Sequence, residues 1–332
     1  MSEARPTNPQ PFLQGNGAAI CHVQLDFVEG VSRELLLRRL GKLWDTALVG
    51  DDDPTANGMF GHHLAPEYGA PSGSIIIGFR PEFWAKLDPG GVPANLTGFD
   101  RDLVGIDGAT APATQHDLWL WINQSSADKL YDSIHKAQAA LDGVAHIAEL
   151  RECFTYHNSV TFDGFADGLG NPNVFRAASV TVIPPGQPGA GGSTVLLQKW
   201  LMEVDRLRAL PTHEGEAVYG RSKLKAHKLS PLPPRSHVAR NQFSDGHGGT
   251  IDIVRRNAYF GDANEAGVMF VGFSNDIAVS MGMLRQMYGV GPDGIAKTDA
   301  LLDYSRAVSG AVYFVPSYDA LARAGIRAVD QA

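Results

Sequence analysis

Three short segments carry side chains that suit chemistry. Residues 162–173 read Phe-Asp-Gly-Phe-Ala-Asp-Gly-Leu-Gly-Asn-Pro-Asn and hold Asp167 among glycines at 164, 168 and 170. Glycine permits left-handed turns and close approach of the backbone to a ligand. A carboxylate on such a turn is placed to project into a pocket; the competing reading is a turn whose Asp bonds its own backbone. Seventy residues beyond Asp167, Pro233-Pro234-Arg235-Ser236-His237 delivers an imidazole after a stiff approach. Eighteen residues beyond His237, Val254-Arg255-Arg256-Asn257 reads as strand. Residues i and i+2 of a strand face one side. Arg255 and Asn257 therefore point together and Arg256 points away; the competing reading is an exposed polar face. A guanidinium stays protonated and offers several fixed donors, so Arg255 suits the stabilisation of negative charge. A carboxylate such as Asp167 suits the movement of a proton.

Two further stretches follow in order. Val268-Met269-Phe270-Val271-Gly272-Phe273 reads as a buried strand, and the tail runs from Leu301-Leu302-Asp303-Tyr304-Ser305 to Tyr313-Phe314-Val315-Pro316. Together these motifs resemble the dye-decolorizing (DyP-type) haem peroxidases, in the family's order and at similar spacing. The Gly164–Gly168 run matches its Gly-x-x-Asp-Gly signature. The resemblance spans roughly residues 18–325 and fits the compact bacterial B-type-like branch, because the long insertions of secreted branches are missing.

The resemblance implies one haem b per chain, and a peroxidase that reduces hydrogen peroxide and oxidises phenols, dyes or similar small aromatic one-electron donors through a ferryl intermediate. It implies His237 as the iron ligand, Asp167 as proton shuttle, Arg255 as charge stabiliser and Asn257 beside it. The family carries an acid behind the ligating His; here Asp299 and Asp303 both lie in the matching segment, and spacing favours Asp299. Arg221 matches a segment that meets the haem propionates, with a solvated basic loop as the alternative. Phe270 or Phe273, with Met281 and Met283, would wall the porphyrin, and Phe273 is the first choice; such side chains also serve simply as core. Leu169-Gly170-Asn171-Pro172 departs from the family wording, in which Thr or Ser often follows the second glycine, so the bonding of the Asp167 loop is expected to differ. A protein that binds or delivers haem, with incidental peroxidase activity, is the alternative function; it needs His237 but neither Asp167 nor Arg255. A homo-oligomer is implied by resemblance alone. No apolar tag follows the last strand, so an encapsulin cargo role has no support.

These residues need a scaffold. The periodicity predicts strands at 20–27, 74–79 and 117–122, helices at 31–44, from Pro81 and at 125–141, and a closing strand at 153–162. That order is the split β-α-β arrangement of a ferredoxin-like unit. The second part predicts strands at 193–203, 251–258, 267–274 and 310–316, short helices over 203–219 broken at Pro211, and a helix over 275–288. The fold class expected is α+β: two ferredoxin-like halves with antiparallel sheets, the resemblance assigning the haem mainly to the C-terminal half. The boundaries expected are a disordered lead 1–17, an N-terminal half 18–160, a haem-binding half 161–325 and a tail 326–332. Long loops at 184–192 and 221–236 interrupt the second half, and the latter leads into His237.

Composition bounds the class. The chain has 332 residues, 44% hydrophobic and 19% charged, an ordinary globular mixture able to bury a sizeable core. A net charge of −8, with no Lys/Arg-rich block, argues against nucleic-acid binding. Cys21 and Cys153 form no C-x-x-C pair and no disulfide framework, which fits a reduced compartment. No apolar run is long enough to span a membrane. The first residues show neither twin arginine nor signal core, and a cytoplasmic location is expected.

Overall fold

The computed structural model describes residues 9–48, 73–93, 95–157 and 159–327. The strands of the N-terminal half are β1 (Ala19–Phe27), β2 (Ser74–Phe79), β3 (Leu103–Val104), β4 (Thr110–Ala111), β5 (Leu118–Gln124) and β6 (Ala145–Phe154). Its helices are α1 (Arg33–Leu48), α2 (Pro81–Leu87) and α3 (Ala127–Ala140). The C-terminal half carries β7 (Ser193–Met202), β8 (Phe243–Ser244), β9 (Thr250–Ile251), β10 (Val254–Arg255), β11 (Ala258–Gly261), β12 (Ala266–Ser274), β13 (Ser305–Ala307) and β14 (Ala311–Val315). With them come α4 (Val174–Thr181), α5 (Val204–Ala209), α6 (Thr212–Tyr219), α7 (His237–Arg240), α8 (Ile277–Met287) and α9 (Tyr318–Arg323).

One sheet runs β10-β12-β11-β6-β1-β5-β2-β14-β7-β13, and β12 also pairs with β7. That extra pairing closes the eight strands from β12 round to β7 into a ring. The pairings are antiparallel throughout. Within the ring, β6-β1-β5-β2 and β14-β7-β12-β11 have the same order, fourth-first-third-second, which is the ferredoxin-like order in both halves. The halves meet through single residue pairs, Tyr259 with Phe154 and Phe314 with Phe79. The expected α+β fold of two ferredoxin-like halves is therefore present.

Strand alternation divides the core. Ile20, Ile76, Trp119, Trp121, Val195, Val271, Phe273 and Tyr313 come from strands all round the ring and fill its interior. The other faces pack under helices, with Leu36 and Leu40 of α1, Ile134 of α3 and Leu284 of α8. Burying each large apolar side chain contributes about 1.5–3 kcal/mol.

Several local expectations are corrected. The strand closing the first half is Ala145–Phe154, earlier than 153–162. Beyond it the chain turns, with positive φ at His157, Ser159, Gly164 and Gly168, so it cannot stay extended. The disordered lead does not extend through residues 9–17. Phe12 is fully buried against Phe273, and Gln10 exchanges hydrogen bonds with Ile77 and also donates to the Pro316 carbonyl. The strand expected over 251–258 is broken into β9, β10 and β11, because β9 pairs with β8 rather than with the large sheet. Among the described residues no helix is long and apolar enough to cross a membrane.

Candidate functional site

A cavity of about 450 Å³ opens between the outer face of the C-terminal sheet, α7, α8 and the loop 161–171. His237, Asp167, Arg255, Asn257 and Arg221 all line it. Phe273 does not: it lies inside the ring, fully buried and stacked on Phe12 at 5.3 Å. The face it shares with Met269 and Val271 is the opposite one from Val268 and Phe270, which do reach the cavity. The wall aromatic is therefore Phe270. Met283 and Met287 of α8 line the cavity and Met281 does not.

His237 opens α7, whose N-cap is the buried Ser236 accepting from the Ala239 amide. Arg240, also buried, ties this short helix down through Asp293 at 2.8 Å and the Gln286 carbonyl at 2.7 Å. Behind the imidazole lies Asp299, fully buried, with Oδ2 2.8 Å from His237 Nδ1. Its Oδ1 accepts from the Leu301 amide at 2.9 Å. The pairing makes Nδ1 the donor, so the other ring nitrogen carries the lone pair. Asp303 instead pairs with Arg235 at the surface, at 2.8 Å. Of the two acids offered by the sequence, Asp299 is the one beside His237.

On another wall, Asp167 accepts from the Gly168 amide at 2.7 Å, as in the turn reading, and still faces the cavity. Asn257 Nδ2 donates to both of its oxygens at 3.2 Å, and the Tyr259 hydroxyl donates to Oδ2 at 2.8 Å. Burial, and then the Asp167 charge, push the Tyr259 phenol far above its ordinary value, so it remains a donor. Sequence reasoning missed Tyr259 in this role. Its signal was available: 255, 257 and 259 continue one alternation, so all three share a face. Arg256, as expected, turns away, donating to the carbonyls of Leu13 and Gln14.

Arg255 Nη1 donates to the Gly170 carbonyl at 3.0 Å. Burial pulls its guanidinium below its ordinary value, against the opposing charges of Asp252 and Asp167. It nonetheless stays a cation, because free Arg titrates so high. A Cβ on residue 170 would sit 2.8 Å from that Nη1, so a larger residue there would displace the guanidinium. Asn171 clamps both backbone groups of Arg255, accepting from its amide at 2.7 Å and donating to its carbonyl at 3.1 Å. Gly170 and Asn171 thus fasten the Asp167 loop to β10. A neighbouring pair, Asp163 and Tyr219, is bonded at 2.9 Å, and burial and Asp163 push that phenol up.

Arg221 Nη1 donates to the Ala226 carbonyl at 3.0 Å, across a strap that returns to Lys228. Both basic side chains line the cavity. Among the described residues no three His, Cys, Asp or Glu side chains converge to hold a metal ion. His237 therefore belongs to no all-protein metal site there. Asn257 Oδ1 and Gln198 Nε2, on the cavity wall, are buried without protein partners. A single exposed imidazole nitrogen, basic side chains at the rim, apolar Phe270, Met283 and Met287 and unspent polar atoms fit a flat, amphiphilic metal-bearing group such as haem.

Comparison with known proteins gives a consistent result. The family model "Dyp-type peroxidase, C-terminal" matches residues 158–320. A dye-decolorizing peroxidase of Mycolicibacterium paratuberculosis is 34% identical over 255 residues, covering 75% of this chain and 70% of that one. DyPB of Rhodococcus jostii, a variant of which was solved in complex with heme, superposes with a TM-score of 0.78 at 32% identity, over 94% of this chain and 97% of that one. The encapsulated DyP-type peroxidase of Mycobacterium smegmatis gives a TM-score of 0.83 at 30% identity, over 95% and 98% of the two chains.

Proposed function

The chain belongs to the dye-decolorizing (DyP-type) family of haem peroxidases, and from that premise we propose that it holds one haem b in the cavity and couples reduction of hydrogen peroxide to oxidation of phenols, dyes or similar one-electron donors. The observation that carries the proposal is the convergence, on one cavity, of an imidazole backed by a buried carboxylate with a carboxylate and a guanidinium from other elements. When bound, haem supplies the iron at which peroxide is reduced and the store from which single oxidising equivalents pass to donors.

The chain's own residues do the rest. His237 would hold the iron through the ring nitrogen that Asp299 does not engage. Asp299 fixes ring rotation and tautomer and makes the imidazole a stronger electron donor. Arg221 takes a propionate. Asp167 would take a proton from peroxide in the cavity and give it back to the departing oxygen. Arg255 keeps a fixed positive charge where negative charge develops. Asn257 and Gly168 orient the Asp167 carboxylate, while Asn171 holds Arg255 in register with it.

An Arg255→Leu variant tests the reading against simple haem handling. Turnover of peroxide with a phenolic donor should fall about 10²–10³-fold, the effect of removing one such charge stabiliser. The Soret band should persist in Arg255→Leu and vanish in His237→Ala. Wild-type turnover in Arg255→Leu would leave haem handling as the better account, and a purified protein that takes up no haem would overturn both.

A further inference from the structure

Asp167 has its hydrogen-bonding capacity almost fully assigned. An ionised carboxylate offers about four lone-pair sites. Three donors take part: the Gly168 amide on Oδ1, the Tyr259 hydroxyl on Oδ2 and the Asn257 amide shared between both oxygens. Every one is a donor that keeps its hydrogen, so each favours the ionised carboxylate. Gly168 is the turn itself, and Asn257 bridges without choosing an oxygen. Among the side-chain donors described, Tyr259 is the one that discriminates: it pins Oδ2. The other buried phenol nearby, Tyr219, spends its hydroxyl on Asp163. The Tyr259 ring is held independently, edge-on to Phe162 at 5.0 Å and beside Tyr156 at 6.1 Å.

We propose that Tyr259 is a positioning residue for Asp167: its hydroxyl holds the carboxylate in one rotation, so that a proton from a ligand in the cavity takes the place of the longest contact, the 3.2 Å bridge from Asn257, and not that of Tyr259. The proposal rests on the reading of Asp167 as proton acceptor. The step balances: the O–H bond of peroxide (the C–H bond of hydrogen cyanide) breaks, the proton joins an Asp167 oxygen as the longer Asn257 contact yields, and it is later given back, while Tyr259 keeps its own. Other charged or titratable groups facing this pair are Arg255 on β10, Asp252 just before it, Asp163 on the same loop and Tyr219 on α6. A Tyr259→Phe substitution alters none of them.

Two reactions report on the acceptor. One is the rate with peroxide; the other is binding of hydrogen cyanide, which must give up its proton on entering yet involves no turnover. Both are measured against pH in the haem-loaded protein, at matched Soret absorbance. A hydrogen bond to a charged group is worth roughly one to two pH units. In Tyr259→Phe the acid limb of both profiles should therefore move up by about that much, with rates about tenfold or more below wild type at lower pH and converging above the limb. Site-specific 3,5-difluorotyrosine at 259, a stronger donor of the same shape, should move the limb the other way. Superimposed profiles for all three proteins would overturn the proposal, even where Tyr259→Phe lowers stability. Asp167→Asn separates the premise: a limb that survives it sinks Asp167 as acceptor, whereas a limb lost there but unmoved in both Tyr259 variants sinks only the role of Tyr259.

Discussion

Replacing Asp299 by Asn probes the imidazole–carboxylate pair with the least change of shape. Asp299 is fully buried and gives one oxygen to His237 Nδ1 at 2.8 Å and the other to the Leu301 amide at 2.9 Å. Both partners are donors. Asn has one acceptor oxygen and one NH₂ group, so one donor must face another donor. A buried donor left without an acceptor costs about 1–3 kcal/mol. At 1.4 kcal/mol per tenfold, haem affinity should weaken by about 10- to 100-fold, the usual effect of losing the group behind a metal-ligating His. The assay is titration of haem-free protein with hemin, followed at the Soret maximum. Asp303→Asn is the control. Its carboxylate pairs with Arg235 at 2.8 Å with both side chains about half exposed (49% and 45%), and such pairs contribute about 0–1 kcal/mol. It should bind haem within a factor of about two of wild type. Undiminished affinity in Asp299→Asn, or equal loss in both variants, would refute the reasoning.

Two other perturbations follow from the fold. His22 is buried in the ring interior, its ring near-parallel to those of Trp119 and Trp121, and burial lowers its pKa from 6.5 to about 3. Between those values the unfolded chain binds the proton and the folded one does not, so its contribution is full above pH 6.5 and is lost as pH falls, at about 1.4 kcal/mol per unit. Urea unfolding at pH 6.5 and 4.5 should show about 2.3 kcal/mol more acid loss in wild type than in His22→Leu; equal losses would count against a neutral buried imidazole. Gly220 has φ of 84°, and a Cβ there would lie 2.6 Å from Oγ of Ser236, the cap of the helix carrying His237. Gly220→Ala should therefore cost about 2–4 kcal/mol in urea unfolding and disturb the Soret band; an unchanged midpoint and spectrum would contradict that.

What could be read from the sequence is what local alternation encodes. Arg255 and Asn257 sharing a face followed from strand geometry, and the structure agrees. Carrying the same count two residues further reaches Tyr259, but it lies beyond the Arg-Arg-Asn motif, and nothing in the residue type alone pairs a tyrosine with Asp167. Phe273 failed on parity. Phe270 and Phe273 are an odd number of residues apart and lie on opposite faces, and only the register of β12 against β10, Arg255 with Gly272, tells which face is the cavity's. The early end of the first half was hidden because Ala145–Phe154 carries His, Glu and Arg on its exposed side, whereas the residues after it are richer in strand formers. Ring closure was not legible at all: it rests on the pairing of β12 with β7 and on two single-residue bridges, contacts between distant segments. Asp299 could be preferred over Asp303 by spacing, yet only burial separates them, one inside against His237 and the other outside against Arg235.

The bonding on the Asp167 wall also bears on how two charged groups divide one task. Asp167 is surrounded by donors and has little freedom to reorient. Arg255 is constrained differently: its backbone is clamped by Asn171 and one guanidinium nitrogen is tied to Gly170, while its other terminal nitrogen, among the described residues, meets the Met283 sulfur at 3.8 Å. A sulfur acceptor is weak, so that N–H is the donor most easily redirected toward a ligand. Asp167 is thus arranged to take a proton at a fixed point, and Arg255 to follow charge as it develops. On this reading the two are not interchangeable. Loss of Arg255 should depress the peroxide reaction at every pH, whereas loosening of Asp167 should act mainly at low pH, where the carboxylate must compete for its own charge. The pH profile, more than the size of the rate loss, therefore separates proton transfer from charge stabilisation.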